Sequence, residues 1–438
     1  MLCGEQQRLH DRQFCALLAL VCCHVDEVEL APKVRQRRLG RARPSHALRN
    51  DALLSAAATT TIATLGWDST TIVHVADAAG LTHGAIYGRY IDLGELGAAH
   101  WTTTLLPALQ EALHAAIAAG LRSDGAEAFT EAMLRFVAPA PPIIAAVEMI
   151  LAAPFEAIIG PGILADAQTL LSAWCEPAAD LDATTATQAA AIVYFAFGLT
   201  LASYGPWLSE ADMEPALRQL HQAVSAPTPI VTLPESPERY FSKTRLTADD
   251  PRLEALLNAT IDLIGTLGYR GASVARICRA AGVSQGFLFD RFATKLDLLI
   301  TTLEPLQQEA VRITDALGAQ MRATYGPSIA EAVTWREHQL PEYLPNRLFS
   351  LEIVRLSRFN ERVREQLGGT VASAVEERIA AAAGSSRPEL IGFTHRDYAV
   401  SLGLIAVGNI LPNAWKLPFN CITDVLVAGD PQGLAIRS

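Results

Sequence analysis

The sequence predicts an all-α protein built as two tandem units, each an N-terminal helix-turn-helix three-helix domain followed by a helical body. Three observations lead there. Apolar residues recur at helical spacing along most of the chain, with no convincing strand. The stretch ASVARICRAAGVSQGFLFDRFATKLDLL, residues 272–299, reads as two short helices across a tight turn and then a longer third. Subtracting 202 from each position lays that stretch on an earlier one without a gap.

In the later copy, Val274, Ile277, Cys278 and Ala281 form one buried face while Arg276 and Arg279 stay in water. Gly282 ends that helix because glycine tolerates positive φ, and Ser284 is a natural N-cap for the next, whose buried residues are Leu288 and Phe292. The start of this second helix projects Gln285, Phe287 and Asp290 forward, where a DNA major groove is the usual occupant. Lys295 opens the third helix, and an amine beside free helix-start amides favours a phosphate oxygen.

The run from Ser273 through Ala280-Ala281-Gly282-Val283-Ser284, then Gly286, Leu288, Phe289, Phe292, Lys295 and Leu298, resembles the N-terminal DNA-binding domain of TetR-family bacterial transcriptional regulators over about fifty residues. The resemblance implies contacts to DNA from Ser273, Arg276, Ser284, Gln285, Phe287, Asp290, Arg291 and Lys295. One departure is Phe289, where the family usually carries a tyrosine whose hydroxyl reaches a phosphate.

In the earlier copy Gly66 matches Gly268, Trp67 matches Tyr269, and Ala78-Ala79-Gly80-Leu81-Thr82 repeats the turn. Its corresponding DNA-facing residues are Thr71, Thr82, His83, Ala85, Tyr87 and Arg89. It keeps the tyrosine, Tyr87, but has Leu93 in place of Lys295. Residues 268–295 hold five cations against Asp290, a net +4, whereas residues 66–93 hold Arg89 against Asp68, Asp77 and Asp92, a net −2. Neutralising phosphates dominates affinity for DNA, so the second copy is expected to be the principal reader.

The chain's 438 residues, half of them hydrophobic, suffice for two to four domains with real cores. A net charge of −11 argues against coating nucleic acid at large, but is compatible with a basic reading face. Seven scattered cysteines suggest reduced thiols in a cytoplasm. Cys22-Cys23-His24 has no partner pair at ligand spacing, so neither metal nor cofactor is expected. Catalysis is not expected either, since no Ser/His/Asp set, carboxylate pair or phosphate-cradling glycine loop occurs at usable spacing.

The expected organisation is a basic, poorly ordered extension at 1–47, helix-turn-helix domains at 48–100 and 250–302, bodies at 101–226 and 303–438, and a Pro-rich linker at 227–249. The apolar run 14–25 is too short to span a bilayer and lacks a clear cleavage site. Seven cations without an acid between Lys33 and Arg49 read either as an arm for the minor groove or as a solvated charge run. The apolar stretch 189–204 reads as a buried helix, not a membrane span.

By resemblance, 189–204 and the helix over 213–224 occupy the place of the family's dimer interface, and each body encloses a small apolar or amphipathic effector that releases a double-stranded operator. Aromatic candidates for lining that pocket are Trp174, Tyr194, Phe197, Phe349, Phe393 and Trp415, all of which also suit plain core. Duplication within one chain favours an intramolecular pseudo-dimer, with a homodimer as the competing arrangement. A protein of another class, a scaffold in which one or both copies have lost DNA, is the alternative.

Overall fold

Short polar side chains start the helices of both helix-turn-helix segments. In the computed structural model, which describes residues 45–178, 181–205, 210–235, 245–341, 344–381 and 387–428, helix α1 spans Ser45–Leu65. Thr71 accepts the His74 amide to cap α2 (Ile72–Ala79), Thr82 accepts that of Ala85 to cap α3 (His83–Tyr87), and Asp92 accepts that of Glu95 to cap α4 (Leu93–His100). Gly80, at φ 63°, reverses the chain between α2 and α3. A π-helical turn, Trp101–Leu105, then carries the chain without a break into α5 (Leu106–Gly120).

Four further helices make up the first body: α6 (Ala126–Val137), α7 (Pro141–Ala152), α8 (Gly160–Cys175) and α9 (Ala183–Ala202). Helix α10 (Glu210–Ser225) follows. The second half opens with α11 (Pro251–Gly271), capped by Asp250 with proline at its first turn. Ser273 caps α12 (Val274–Ala281), Gly282 turns at φ 67°, Ser284 caps α13 (Gln285–Phe289), and Thr294 caps α14 (Lys295–Tyr325). The remaining helices are α15 (Pro327–His338), α16 (Leu344–Phe359), α17 (Glu361–Ala381), α18 (Arg387–Val407) and α19 (Asn420–Ala428). Among the described residues there is no strand, as the periodicity predicts.

From Asn50 on, the described residues form one compact unit. A single apolar core runs through both bodies and into both heads, by way of Ile277, Leu288 and Phe292 in the second and of Ile62, Ala63 and Trp67 at the base of the first. The first head keeps a small core of its own, built from Leu54, Ala58, Val75, Ala76, Ile86 and Leu96. Helices α9 and α18 are the most intimately packed pair. A β-carbon at Gly198 would overlap the Ala399 carbonyl oxygen, and one at Gly403 would overlap that of Tyr194. The two backbones therefore touch through reciprocal glycines. Helices α10 and α19 flank the crossing, where Gln219 donates to the Leu426 carbonyl at 3.0 Å and receives the Arg396 guanidinium.

Helix α9 is long and apolar enough to cross a membrane, but its window is 94% buried inside the protein, which fits the expected core helix. Cys175, Cys278 and Cys421 are buried and unbonded. Part of the expected linker is fastened down: Thr228 donates its amide to the Cys421 carbonyl at 2.9 Å, and Asn420 and Arg336 donate to the carbonyls of Pro229 and Pro234. The apolar run, the Cys22-Cys23-His24 cluster and the basic arm up to Arg43 lie outside the described residues.

The reciprocal glycines make one prediction. Gly198→Val should destabilise the fold by ~1–3 kcal/mol or more, because the obstructing atom is backbone and cannot swing away. Gly162→Ala, on a helix with open space around it, should not destabilise; urea unfolding compares the two.

A second prediction concerns His100, whose ring joins the hydroxyl of Thr59 at 2.9 Å and lies 3.4 Å from that of Ser55. Burial lowers its pKa to about 4. The unfolded chain, with its ordinary value near 6.5, binds the proton first as pH falls. Stability contributed by neutral His100 is thus complete above pH ~6.5 and is lost towards pH ~4, by about 3 kcal/mol in all. His100→Gln should remove that part of the acid sensitivity in unfolding curves taken from pH 7 to 4.

Candidate nucleic-acid interface

In the second head the start of α13 forms an exposed front. Gln285 and Asp290 are exposed, Phe287 is half-buried, and Phe289 is 51% exposed although it cannot donate a hydrogen bond. Two guanidiniums lie over the Phe287 ring, Arg291 at 3.8 Å and Arg252 at 4.6 Å. Arg291 also reaches Asp250 at 3.2 Å, and Arg276 donates to the Gly271 carbonyl at 2.9 Å. Arg279 is exposed and makes no ion pair among the described residues. Ser273 and Ser284 spend their hydroxyls as N-caps.

Lys295 is directed elsewhere than the sequence suggests. Its ammonium donates to the Tyr269 carbonyl at 2.6 Å and lies 3.9 Å above that ring, half-buried. Burial lowers its pKa, with Glu352 pulling the other way. The physical reason is that Tyr269 lies just past the break in α11 at Gly268, and the Ser273 amide that would continue the helix to its carbonyl bonds Gly271 instead. Lys295 fills that need and lends its charge to the α14 start from behind.

The first head has the same frame with different chemistry. Thr71 and Thr82 are caps, His83 is exposed, Ala85 is half-buried, and Tyr87 is 59% exposed with its hydroxyl available to a phosphate. Arg89, the one cation of its window, is spent on Asp51 at 2.9 Å and on the Ala85 carbonyl at 2.8 Å.

A buried charge cluster under both heads escaped sequence reasoning. The Arg355 guanidinium on α16 meets Glu148 of α7 at 2.9 Å, Glu352 at 2.9 Å and Asp68 of the first head at 2.8 Å. The two glutamates each accept one head amide, Glu148 from Trp67 at 2.9 Å and Glu352 from Tyr269 at 2.7 Å. Arg270 of the second head donates to the Asp68 carbonyl at 2.5 Å. Burial opposes the charge on Arg355, but the three carboxylates more than offset it and raise its pKa above the ordinary arginine value. Burial raises Glu148 against the pull of Arg355. Two aromatic rings complete the junction: Phe359 covers Gly66, and Phe155 covers Gly268. The signal was legible as a single acid in the apolar run PPIIAAVEMILA, with a second 204 positions later.

The aromatic candidates for an effector pocket scatter. Tyr194, Phe197 and Phe349 are buried core, and the Tyr194 hydroxyl donates to Gln339 at 2.6 Å. Trp174 is half-buried beside His114, Trp415 is half-buried beside Lys416, and the side chain of Phe393 lies outside the described residues.

Capped short helices across a left-handed glycine, with a cationic front on the second, define a helix-turn-helix DNA-binding domain. Residues 256–301 match the family described as bacterial regulatory proteins, tetR family. The chain therefore carries a TetR-type DNA-binding domain in its second half, where the charge count put the principal reader. No curated protein matches the chain.

Two substitutions separate the roles on this front. Arg279→Ala should weaken binding on every sequence and flatten the slope of log affinity against log salt by about one unit, whereas Lys295→Ala should leave that slope unchanged. Gln285→Ala should alter the order of preferred sequences, at a cost of ~1–3 kcal/mol on the best one. Fluorescence anisotropy on a randomised duplex pool at several salt concentrations reads both.

Proposed function

We propose that the chain is a sequence-specific transcriptional regulator made of two TetR-like units, arisen by tandem duplication and paired within one polypeptide. The observation that carries this is the reciprocity of the contacts. Gly198 meets Ala399 as Gly403 meets Tyr194, and Phe359 meets Gly66 as Phe155 meets Gly268. Glu148 holds the Trp67 amide as Glu352 holds that of Tyr269. Such paired exchanges are what a two-fold axis produces in a homodimer. Here both sides of the axis belong to one chain.

On this reading the second head supplies most of the affinity for an operator, and the first, at net −2 with Arg89 engaged by Asp51, contributes shape more than charge. A small apolar or amphipathic molecule in the bodies changes the separation of the heads and releases the DNA. Cytoplasmic residence and the absence of catalysis belong to the same reading. The scaffold reading is favoured by one observation, the engagement of the first head's single window cation.

The experiment is light scattering at micromolar concentration, combined with a footprint on selected DNA. The expected result is a mass near the chain's 47.0 kDa and an asymmetric site whose two parts lie ~34 Å apart. A mass near twice that value on a palindromic site overturns the internal pairing. No binding at moderate salt favours the scaffold.

A further inference from the structure

Where the end of α9 approaches the end of α16 there is a cavity of about 460 Å³, within the range of roughly 300–1,000 Å³ usual for small-molecule sites. One wall is apolar: Val137, Ala138 and Pro139, with Ile144 from α7. The other is not. Tyr204 is 8% exposed, and its buried hydroxyl, which interacts electrostatically with the neighbouring Arg358 guanidinium, makes no hydrogen bond of regular geometry; Nη1 of Arg358 is likewise buried without one. The guanidinium lies 5.0 Å from the Tyr204 ring and 5.2 Å from that of Phe359, and Arg358 forms no ion pair among the described residues. Ser203, the third polar group in the lining, already donates to the Thr200 carbonyl at 2.7 Å.

A buried donor left without an acceptor is costly, the more so when it belongs to a charged group. Two such donors beside an apolar wall call for an anion with two acceptor oxygens and a hydrophobic body. We propose that this cavity binds an organic monocarboxylate, one oxygen accepting from Arg358 and the other from the Tyr204 hydroxyl, with the apolar part of the acid against Val137, Pro139 and Ile144. The stoichiometry follows from the pseudo-symmetry. The positions related to Tyr204 and Arg358 are Asn409 and Pro154, which cannot rebuild the pair, so each chain holds one site.

The cavity adjoins the charge cluster beneath the heads, since both Glu148 and Arg355 act electrostatically on Tyr204. A carboxylate arriving there adds negative charge where three acids already share Arg355. It weakens the hold on Asp68 and hence on the first head. This last consequence, unlike the binding itself, rests on the regulator reading above.

Calorimetry on the full chain tests the site with octanoate and benzoate, each against its neutral counterpart, octanol and benzyl alcohol. At least one acid should bind at one per chain and at least tenfold more tightly than its alcohol. Arg358→Leu and the isosteric Tyr204→Phe should each lower acid affinity tenfold or more and leave alcohol binding unchanged, with circular dichroism checking that both variants fold. Acids that bind no better than alcohols, no binding of either acid, or unaltered acid affinity in the folded Tyr204→Phe protein would each overturn the proposal. DNA affinity is measured separately with and without the acid. Acid binding that leaves DNA affinity unmoved counts against the ligand-controlled regulator and leaves the site standing.

Discussion

One guanidinium holds together parts of the chain almost three hundred residues apart. Arg355 meets Glu148 and Glu352, both buried, and the partly exposed Asp68, and the two glutamates in turn hold the amides that follow Gly66 and Gly268. Charges so deeply buried survive only in company, and removing one partner strands the rest. Both glycines sit at positive φ, which lets the chain leave the first long helix of each head and present an amide to its glutamate. The orientation of each head on its body thus depends on a few atoms around one side chain.

The two heads share a frame and differ in how their charges are spent. In the first, the cation nearest the front is neutralised by Asp51, and aspartates dominate the window. In the second, Arg252 and Arg291 stack on Phe287 and share the one carboxylate of Asp250, leaving an excess of positive charge beside the recognition helix. Most of the first head's apolar residues form a core separate from the main one, which it joins through Ile62, Ala63 and Trp67, while the second head shares the body's core more fully. The first head is thus less firmly referenced to the body, and its tie through Asp68 matters correspondingly more.

Much of this was legible in the sequence. The cap Ser284, the turning glycines Gly80 and Gly282, and the buried faces all follow from local rules that depend on a residue and its near neighbours, and by the same rules Thr71, Thr82 and Ser273, expected only to face DNA, are caps. The charge contrast between heads was equally plain. What was not legible depends on tertiary neighbours. Lys295 is drawn to a carbonyl 26 positions earlier, and Arg355 gathers acids from three elements. Of the aromatic residues expected to line a pocket, Tyr194, Phe197 and Phe349 are buried in the core, because aromatic content alone does not distinguish a cavity wall from a core. The repeat was visible at an offset of 202 in the heads, but it drifts to 204 at the glutamates and 205 at the crossing glycines, so a fixed-offset comparison loses it in the bodies.

The crossing of α9 and α18 joins two halves of the same molecule, and on the regulator reading proposed above that changes how occupancy of a DNA site depends on abundance. A regulator that must first find a second chain loses paired heads as it is diluted, so at low copy number its occupancy falls as the square of its concentration. In the internal pairing proposed above, with both halves closed on each other through Gly198 and Gly403, assembly takes no second encounter, and occupancy falls only in proportion. A regulator of that proposed kind gives a graded response from very few copies, and its response gains no steepness from self-association.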